Sequence, residues 1–180
     1  HIATSQAGLL SPSGRCQPFG DGADGIVLSE GIGAVVLKRL EDAIDDGDTI
    51  DAVILASGMN QDGKTNGISA PSARSQQILI ERIYRQAGID PRTIGMVEAH
   101  GTGTALGDPI EVRALRRAFE QLSESDAPGE GVCALGSVKG NIGHAMEAAG
   151  VARKMATLAI SSGLHMRGSG CCTAAPLRVC

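Results

Sequence analysis

Two histidines stand where a chain can most easily mount chemistry. His100 closes the apolar run of "VEAHGTGTALGDPIEV" (97–112), and Gly-Thr-Gly-Thr follows it at once. His144 comes after a glycine-rich bend in "GSVKGNIGHAMEAAG" (136–150), with Lys139 shortly ahead of it. At His100 a strand end, a flexible bend and a helix start converge, which favours a site over a histidine held in the core. Gly101 and Gly103 would let a ligand approach the backbone closely. Thr102 and Thr104 either offer hydroxyls to a polar, extended ligand or hydrogen-bond within the turn. His144 is expected at a helix N-terminus, where the positive end of the dipole disfavours imidazolium. A neutral imidazole that donates from one nitrogen suits a developing oxyanion. Lys139 either faces the same site or is a surface charge.

Two neutral donors fit the stabilisation of an enolate or of a thioester oxyanion, chemistry that wants a thiol nucleophile. No cysteine here has such a setting. Cys16 lies in the polar turn "GRCQPF" and reads as an ordinary turn cysteine; Cys133 is in the body of the chain, and Cys171, Cys172 and Cys180 cluster at its end. An odd, irregularly spaced set gives no disulfide framework, so a reducing, cytoplasmic setting is expected. Zinc held by His100, His144 and the adjacent Cys171 and Cys172 would need an unusual ligand spacing, and no metal is expected. "GTGTALG" lacks the spacing of a dinucleotide fingerprint, and no Gly-Lys-Ser/Thr follows "GVCALGSVKG" as a phosphate loop would require.

The elements that must position these residues can be read from periodicity. "IVLSEGIGAVVLKRL" (26–40) reads as two short strands broken at Gly31 and Gly33, and "IDAVILASG" (50–58) as a strand covered on both faces. "SARSQQILIERIYRQAG" (72–88) places Leu79, Ile83 and Ala87 on one helical stripe, with Gly88 as the stop. "IGMVEA" (94–99) is the next strand. Asp108 is expected to cap a helix with Pro109 at its first position and Glu111 closing a capping box. That helix should run to about Gln121 with Leu115, Ala118 and Phe119 inward. The loop "SESDAPGEG" then leads to a strand in "VCALGSV", and a last helix opens near His144. Alternating strands and helices mean an α/β architecture, in which ligand-binding groups gather in connections after strands.

Composition narrows the classes further. At 42% hydrophobic, 20% charged and net charge −4, the 180 residues suit one domain with a core, or a piece of a larger one. No basic stripe marks a nucleic-acid face, and two Phe, one Tyr and no Trp leave nothing to stack bases on. No window reaches the apolar length of a membrane span. The start, "HIATSQAGLL", has neither Met nor a signal peptide, and the chain is expected to come from a longer one. Residues 153–180 carry Arg153, Lys154, Arg167 and Arg178 and no carboxylate. This charge step is expected to mark an atypical tail, a frame slip or cloning end, in which His165 has no role.

The stretches around His100 and His144 resemble the ketosynthase domain of modular type I polyketide synthases. "LSPSGRCQPF", "ADGIVLSEGIGAVVLKRLEDAIDDGD" and "MNQDGKTNGISAPS" share the likeness, which covers residues 1 to about 152. The resemblance implies an α/β fold of the thiolase-like layered α-β-α-β-α kind, here with the end of its first half (1–49), most of its second (50–152), and the tail (153–180). It implies a decarboxylative Claisen condensation between an enzyme-bound acyl thioester and a malonyl-type extender on the phosphopantetheine of an acyl carrier protein, performed by a homodimer. His100 then matches the histidine that assists decarboxylation, and His144 the one that supports the nucleophile and the oxyanion. Lys139 orders the histidine network; Thr102, Thr104 and Ser69 contact the pantetheine arm. The family's nucleophilic Cys-Ser-Ser motif belongs upstream of His1, so this piece alone is not expected to condense. The alternatives are a non-elongating ketosynthase-like scaffold module, which intact His100 and His144 argue against, and a type I fatty-acid synthase domain.

Overall fold

The computed structural model describes residues 2–65, 67, 70–123 and 133–161. Two short helices, α1 (Ile2–Gln6) and α2 (Leu40–Asp45), precede the longer α3 (Ala73–Ala87). α3 begins where Ser72 Oγ accepts the N–H of Ser75 at 3.1 Å, satisfying one of the donors that every helix start leaves open. It ends at Gly88, whose φ of 62° is the left-handed cap that glycine adopts without strain. The Gly88 stop agrees with the sequence reading. A strand, β1 (Met96–Glu98), follows, then α4 (Gly107–Leu122), β2 (Ala134–Gly136), the single turn α5 (Lys139–Ile142) and α6 (Ala149–Ser161).

β1 and β2 pair in parallel, with Met96 opposite Ala134, Val97 opposite Leu135 and Glu98 opposite Gly136. α3 and α4 pack against each other, and Tyr84 meets Phe119 across that seam with ring centroids 5.6 Å apart. Ala114 and Ala118 are fully buried on α4, and Ala99, Ala145 and Ala149 lie buried around the strand ends. Methyl side chains of this kind let helix and strand backbones approach closely, so the interior around the site is built from small residues rather than aromatics.

Three expectations are corrected. Residues 26–40 form only isolated bridges, Leu10 with Ile26 and Leu28 with His144, and residues 50–58 form no strand. Among the described residues these apolar runs find no neighbouring strand to take their backbone hydrogen bonds, and a strand exists only as a member of a pair. Their side chains are consequently open: Ile32 is 99% and Val36 97% exposed. The segment after 58 is instead tacked to α3, where Arg82 donates to the Met59 carbonyl at 2.8 Å and Asn60 to that of Ser75 at 2.6 Å. The last helix does not open at His144. A 3₁₀ turn (Met146–Ala148) intervenes, and α6 starts at Ala149. Finally, the capping box at Asp108 and Glu111 is absent, because both carboxylates are used elsewhere.

Candidate functional site

The loop after β1 is held by two carboxylates from α4. Glu111 accepts the N–H of His100 at 2.7 Å through one oxygen and that of Gly101 at 2.8 Å through the other. Asp108, 4% exposed, accepts from Gly103 N–H at 3.2 Å and from Phe19 N–H at 2.7 Å. Charge-assisted bonds of this kind are stronger than neutral ones, so α4 clamps the backbone of 100–103 while also fixing the turn at 17–19. The helix start itself is served by Thr104, whose Oγ1 accepts Gly107 N–H at 3.1 Å.

Gly101 has φ 41°, and a Cβ there would lie 2.6 Å from Ser137 Cβ and 2.8 Å from Phe19 Cε2. Gly103 has φ 72°, and a Cβ there would lie 3.1 Å from Gln17 N and 3.3 Å from Gly25 O. The space expected for a ligand at these glycines is therefore taken by the chain's own backbone and side chains. The glycines serve close self-packing.

Lys139 is buried, 2% exposed, and its Nζ donates to the His100 carbonyl at 2.7 Å. Ser137 Oγ donates to the same oxygen at 3.2 Å. Burial and the nearby Arg153 cation lower the pKa of Lys139, while the carboxylates of Glu98 and Glu111 oppose the shift. The surface-charge alternative for this lysine is thus excluded.

His100 and His144 meet edge to face, with ring centroids 5.5 Å apart and planes at 87°. Part of His100 faces solvent, yet the protein packed around its imidazole desolvates it. Desolvation first, then the charges of Lys139, His144 and Arg153, hold its pKa down to about 4. His144 is also shifted down, by burial and then by the Lys139 charge. The neutrality expected for His144 is present, but a helix dipole is not its cause. The Nδ1 of His144 accepts Met146 N–H at 3.0 Å, which places the ring proton on Nε2. Met146 adopts φ 47° at this point, a left-handed conformation that costs on the order of 1 kcal/mol for a non-glycine residue. The backbone on the other side is pinned by His144 N–H donating to Val27 O at 2.6 Å and by Ser29 N–H donating to His144 O at 3.1 Å.

Thr102 Oγ1 and Thr104 Oγ1 lie 3.1 Å apart, so the two hydroxyls share a hydrogen bond within the turn. Cys16 points its thiol at the Thr102 carbonyl, 3.8 Å away. Burial pushes that thiol's pKa up, the opposite of what a nucleophile needs. Ser69 lies outside the described residues, as do Cys171, Cys172, Cys180 and His165. The structure thus brings His100, His144 and Lys139 together, with the threonine pair on the same loop as His100.

The parts that three charged residues play here escaped the sequence reading: Glu98, Glu111 and Arg153. Glu98 accepts Val138 N–H at 2.9 Å, and burial raises its carboxyl pKa. Arg153, half-buried on α6, donates to the Glu98 carbonyl at 2.6 Å. A cue to Glu111 was present, since it lies in the first turns of the helix that follows the His100 loop. No cue existed for Arg153, which lies 55 residues from its acceptor.

Residues 51–164 match the description "Beta-ketoacyl synthase, C-terminal domain", and residues 1–43 match the N-terminal domain of the same family. The chain belongs to the beta-ketoacyl synthase family. This ketosynthase chain is 53% identical over 152 residues to polyketide synthase PksL of Bacillus subtilis (strain 168), covering 84% of the chain and 3% of that protein. It is 47% identical over 157 residues to the highly reducing polyketide synthase tstA of Talaromyces stipitatus, covering 87% of the chain and 6% of that protein. A solved ketosynthase from module 6 of the bacillaene synthase of Bacillus subtilis 168 superposes with a TM-score of 0.82 at 52% identity, covering 87% of this chain and 28% of that one. An oxazolomycin ketosynthase domain of Streptomyces albus JA3453 gives the same TM-score at 44% identity, over 87% of the chain and 26% of that one. The ketosynthase chain is therefore a partial domain of the thiolase-like α/β fold, and the polyketide reading is favoured over the fatty-acid and scaffold alternatives. Among the described residues no helix is long and apolar enough to cross a membrane.

Proposed function

We propose that the protein from which this chain comes catalyses decarboxylative Claisen condensation of an acyl thioester with a malonyl-type unit carried on an acyl carrier protein. The observation that carries this reading is the pair of imidazoles whose rings meet 5.5 Å apart, His100 on a loop clamped by Glu111 and Lys139 and His144 on a backbone pinned by Val27 and Ser29. In the reaction the malonyl C–C bond to the carboxylate breaks and carbon dioxide leaves. Its electron pair becomes an enolate on the thioester, and the enolate carbon then attacks the acyl thioester as the thiolate departs. Both steps gather negative charge on an oxygen, which N–H donors fixed in advance stabilise without reorganisation. His100 assists decarboxylation. His144, with its proton on Nε2, supports the acyl-bearing nucleophile and its oxyanion. Lys139 orders the loop through the His100 carbonyl.

Thr104 Oγ1 already accepts from Gly107. Whichever hydroxyl donates within the Thr102–Thr104 pair, one hydroxyl proton remains for the carbonyl of a pantetheine amide. Ser69 is assigned to the same arm on the family resemblance alone. The nucleophilic cysteine comes from outside these 180 residues, a reading supported by the raised pKa of the Cys16 thiol, and the chain alone does not condense. Phosphopantetheine enters only on the carrier protein, the working form is a homodimer, and the setting is cytoplasmic. Residues 1–49 and 50–152 are parts of the two ketosynthase halves, and 153–180 is the atypical tail, into which the family match continues as far as residue 164, through Arg153 and α6.

His100→Ala in the complete ketosynthase domain tests the assignment. Decarboxylation of malonyl carrier protein should fall about 10²-fold, as for loss of one oxyanion donor. An unchanged rate would remove His100 from the mechanism.

A further inference from the structure

Arg153 opens the segment whose charge pattern sets it apart from the rest of the chain, yet its side chain reaches back into the histidine network. Its guanidinium donates from Nη2 to the carbonyl of Glu98 at 2.6 Å, two residues before His100 at the end of β1. Its Nε is buried without a hydrogen-bond partner among the described residues. A buried, unsatisfied donor is a cost, and such groups in folded proteins commonly mark a role other than stability. Lysine on α5 and arginine on α6 place two cations in one neighbourhood, an arrangement that repels itself. The nearby carboxylates, Glu98 and Glu111, are each committed to backbone N–H groups, at Val138 and at His100 and Gly101. No ion pair between Arg153 and either carboxylate is present among the described residues.

We propose that Arg153 is a positioning residue for His100: it holds the end of β1 from α6 and sets a permanent positive charge beside the imidazole. The proposal rests on the role of His100 in decarboxylation given above. The groups that bear on this ring from the packed elements are Lys139 on α5, His144 before α6, Arg153 on α6, Glu98 on β1 and Glu111 on α4. Of these, Lys139, His144 and Arg153 act to disfavour the imidazolium. Arg153 thereby adds, behind desolvation and the charges of Lys139 and His144, to the bias toward the neutral ring when the negatively charged malonyl group arrives.

Three variants of the complete ketosynthase domain separate charge from grip. Arg153→Lys keeps the charge, Arg153→Gln keeps a donor without charge, and Arg153→Leu removes both. The first readout is the titration of His100, followed by NMR on domain carrying labelled histidine and assigned with His100→Ala. Losing a neighbouring cation raises an imidazole pKa, so the Gln and Leu variants should titrate up to ~0.5 pH unit higher, and the Lys variant within ~0.2 unit of the parent. The second readout is malonyl decarboxylation against pH, whose acid limb should move upward by the same amount in Gln and Leu and stay in Lys. The Leu variant should also lose several-fold in the plateau rate. A His100 titration unmoved by Gln, or moved equally by Lys, overturns the proposal; the Lys and Gln pair decides it even where Leu fails to fold. A titration that moves while the acid limb does not would leave the placement of Arg153 standing and defeat the decarboxylation role of His100 instead.

Discussion

Residues 94–100 and residues 50–59 are both apolar runs that lead into a polar turn, yet they end in opposite states. The first contains β1, paired with β2, its end held by Lys139, Glu111 and Arg153. The second has no ladder, and Leu55 and Met59 are 70% and 85% exposed. Residues 29–39 share that fate. The difference is not one of composition alone, since both runs mix aliphatic residues with Met, Ala, Gly and one carboxylate. β1 has a neighbour within reach of the chain and carboxylates aimed at the loop that follows it. The exposed runs have neither among the described residues. A chain that spans 28% of a solved ketosynthase can thus keep the His100 loop in order while leaving other apolar runs without a sheet.

The contrast is sharpest where a single side chain carries it. Asp108→Ala would leave the N–H groups of Phe19 and Gly103 without an acceptor in a buried setting. The expected loss is about 3 kcal/mol, seen as a lower denaturant midpoint. An unshifted midpoint would mean that the clamped region does not hold the structure together.

A smaller effect should appear with pH. His100 titrates at about 4 in the folded chain against 6.5 in its unperturbed state. Between those values the unfolded chain takes up a proton that the native site refuses. Stability should therefore fall as pH is lowered from about 6.5 to about 4, level off below, and owe nothing to His100 at neutral pH and above. His144, also shifted down, acts in the same sense. Glu98, whose carboxyl is shifted up, acts against it. Comparison with His100→Gln isolates the histidine: the variant should show a flatter acid slope, and an equal slope would contradict the shift.

The smallest effect belongs to the other region. Ile32→Ser combined with Val36→Thr should change the stability of this chain by no more than about 0.5 kcal/mol, because both residues already face solvent. A thermal melt showing a clear loss would place those side chains in a core and erase the comparison.

What could be read in the sequence follows the same division. α3 was legible from its stripe and its Gly88 end, because those signals act over one or two turns. The meeting of His100 and His144 was legible as well, because parallel strands bring their following loops to one edge. Asp108 and Glu111 were misread because a capping box is a local rule. Their true partners are Phe19, 89 residues from Asp108, and three N–H groups on the preceding loop, those of His100, Gly101 and Gly103. The strands expected at 26–40 and 50–58 failed for the complementary reason, since periodicity reports a preference and pairing depends on chain elsewhere. Arg153 had no signal at all.

The left-handed Met146 has a consequence for how this site can change. The proton on His144 is placed by a main-chain N–H, not by a carboxylate or hydroxyl that one codon could delete. Every amino acid except proline brings that N–H with it. Drift at position 146 can therefore vary the side chain's chemistry, short of the β-branched residues that a left-handed backbone disfavours, while the tautomer is inherited through the backbone.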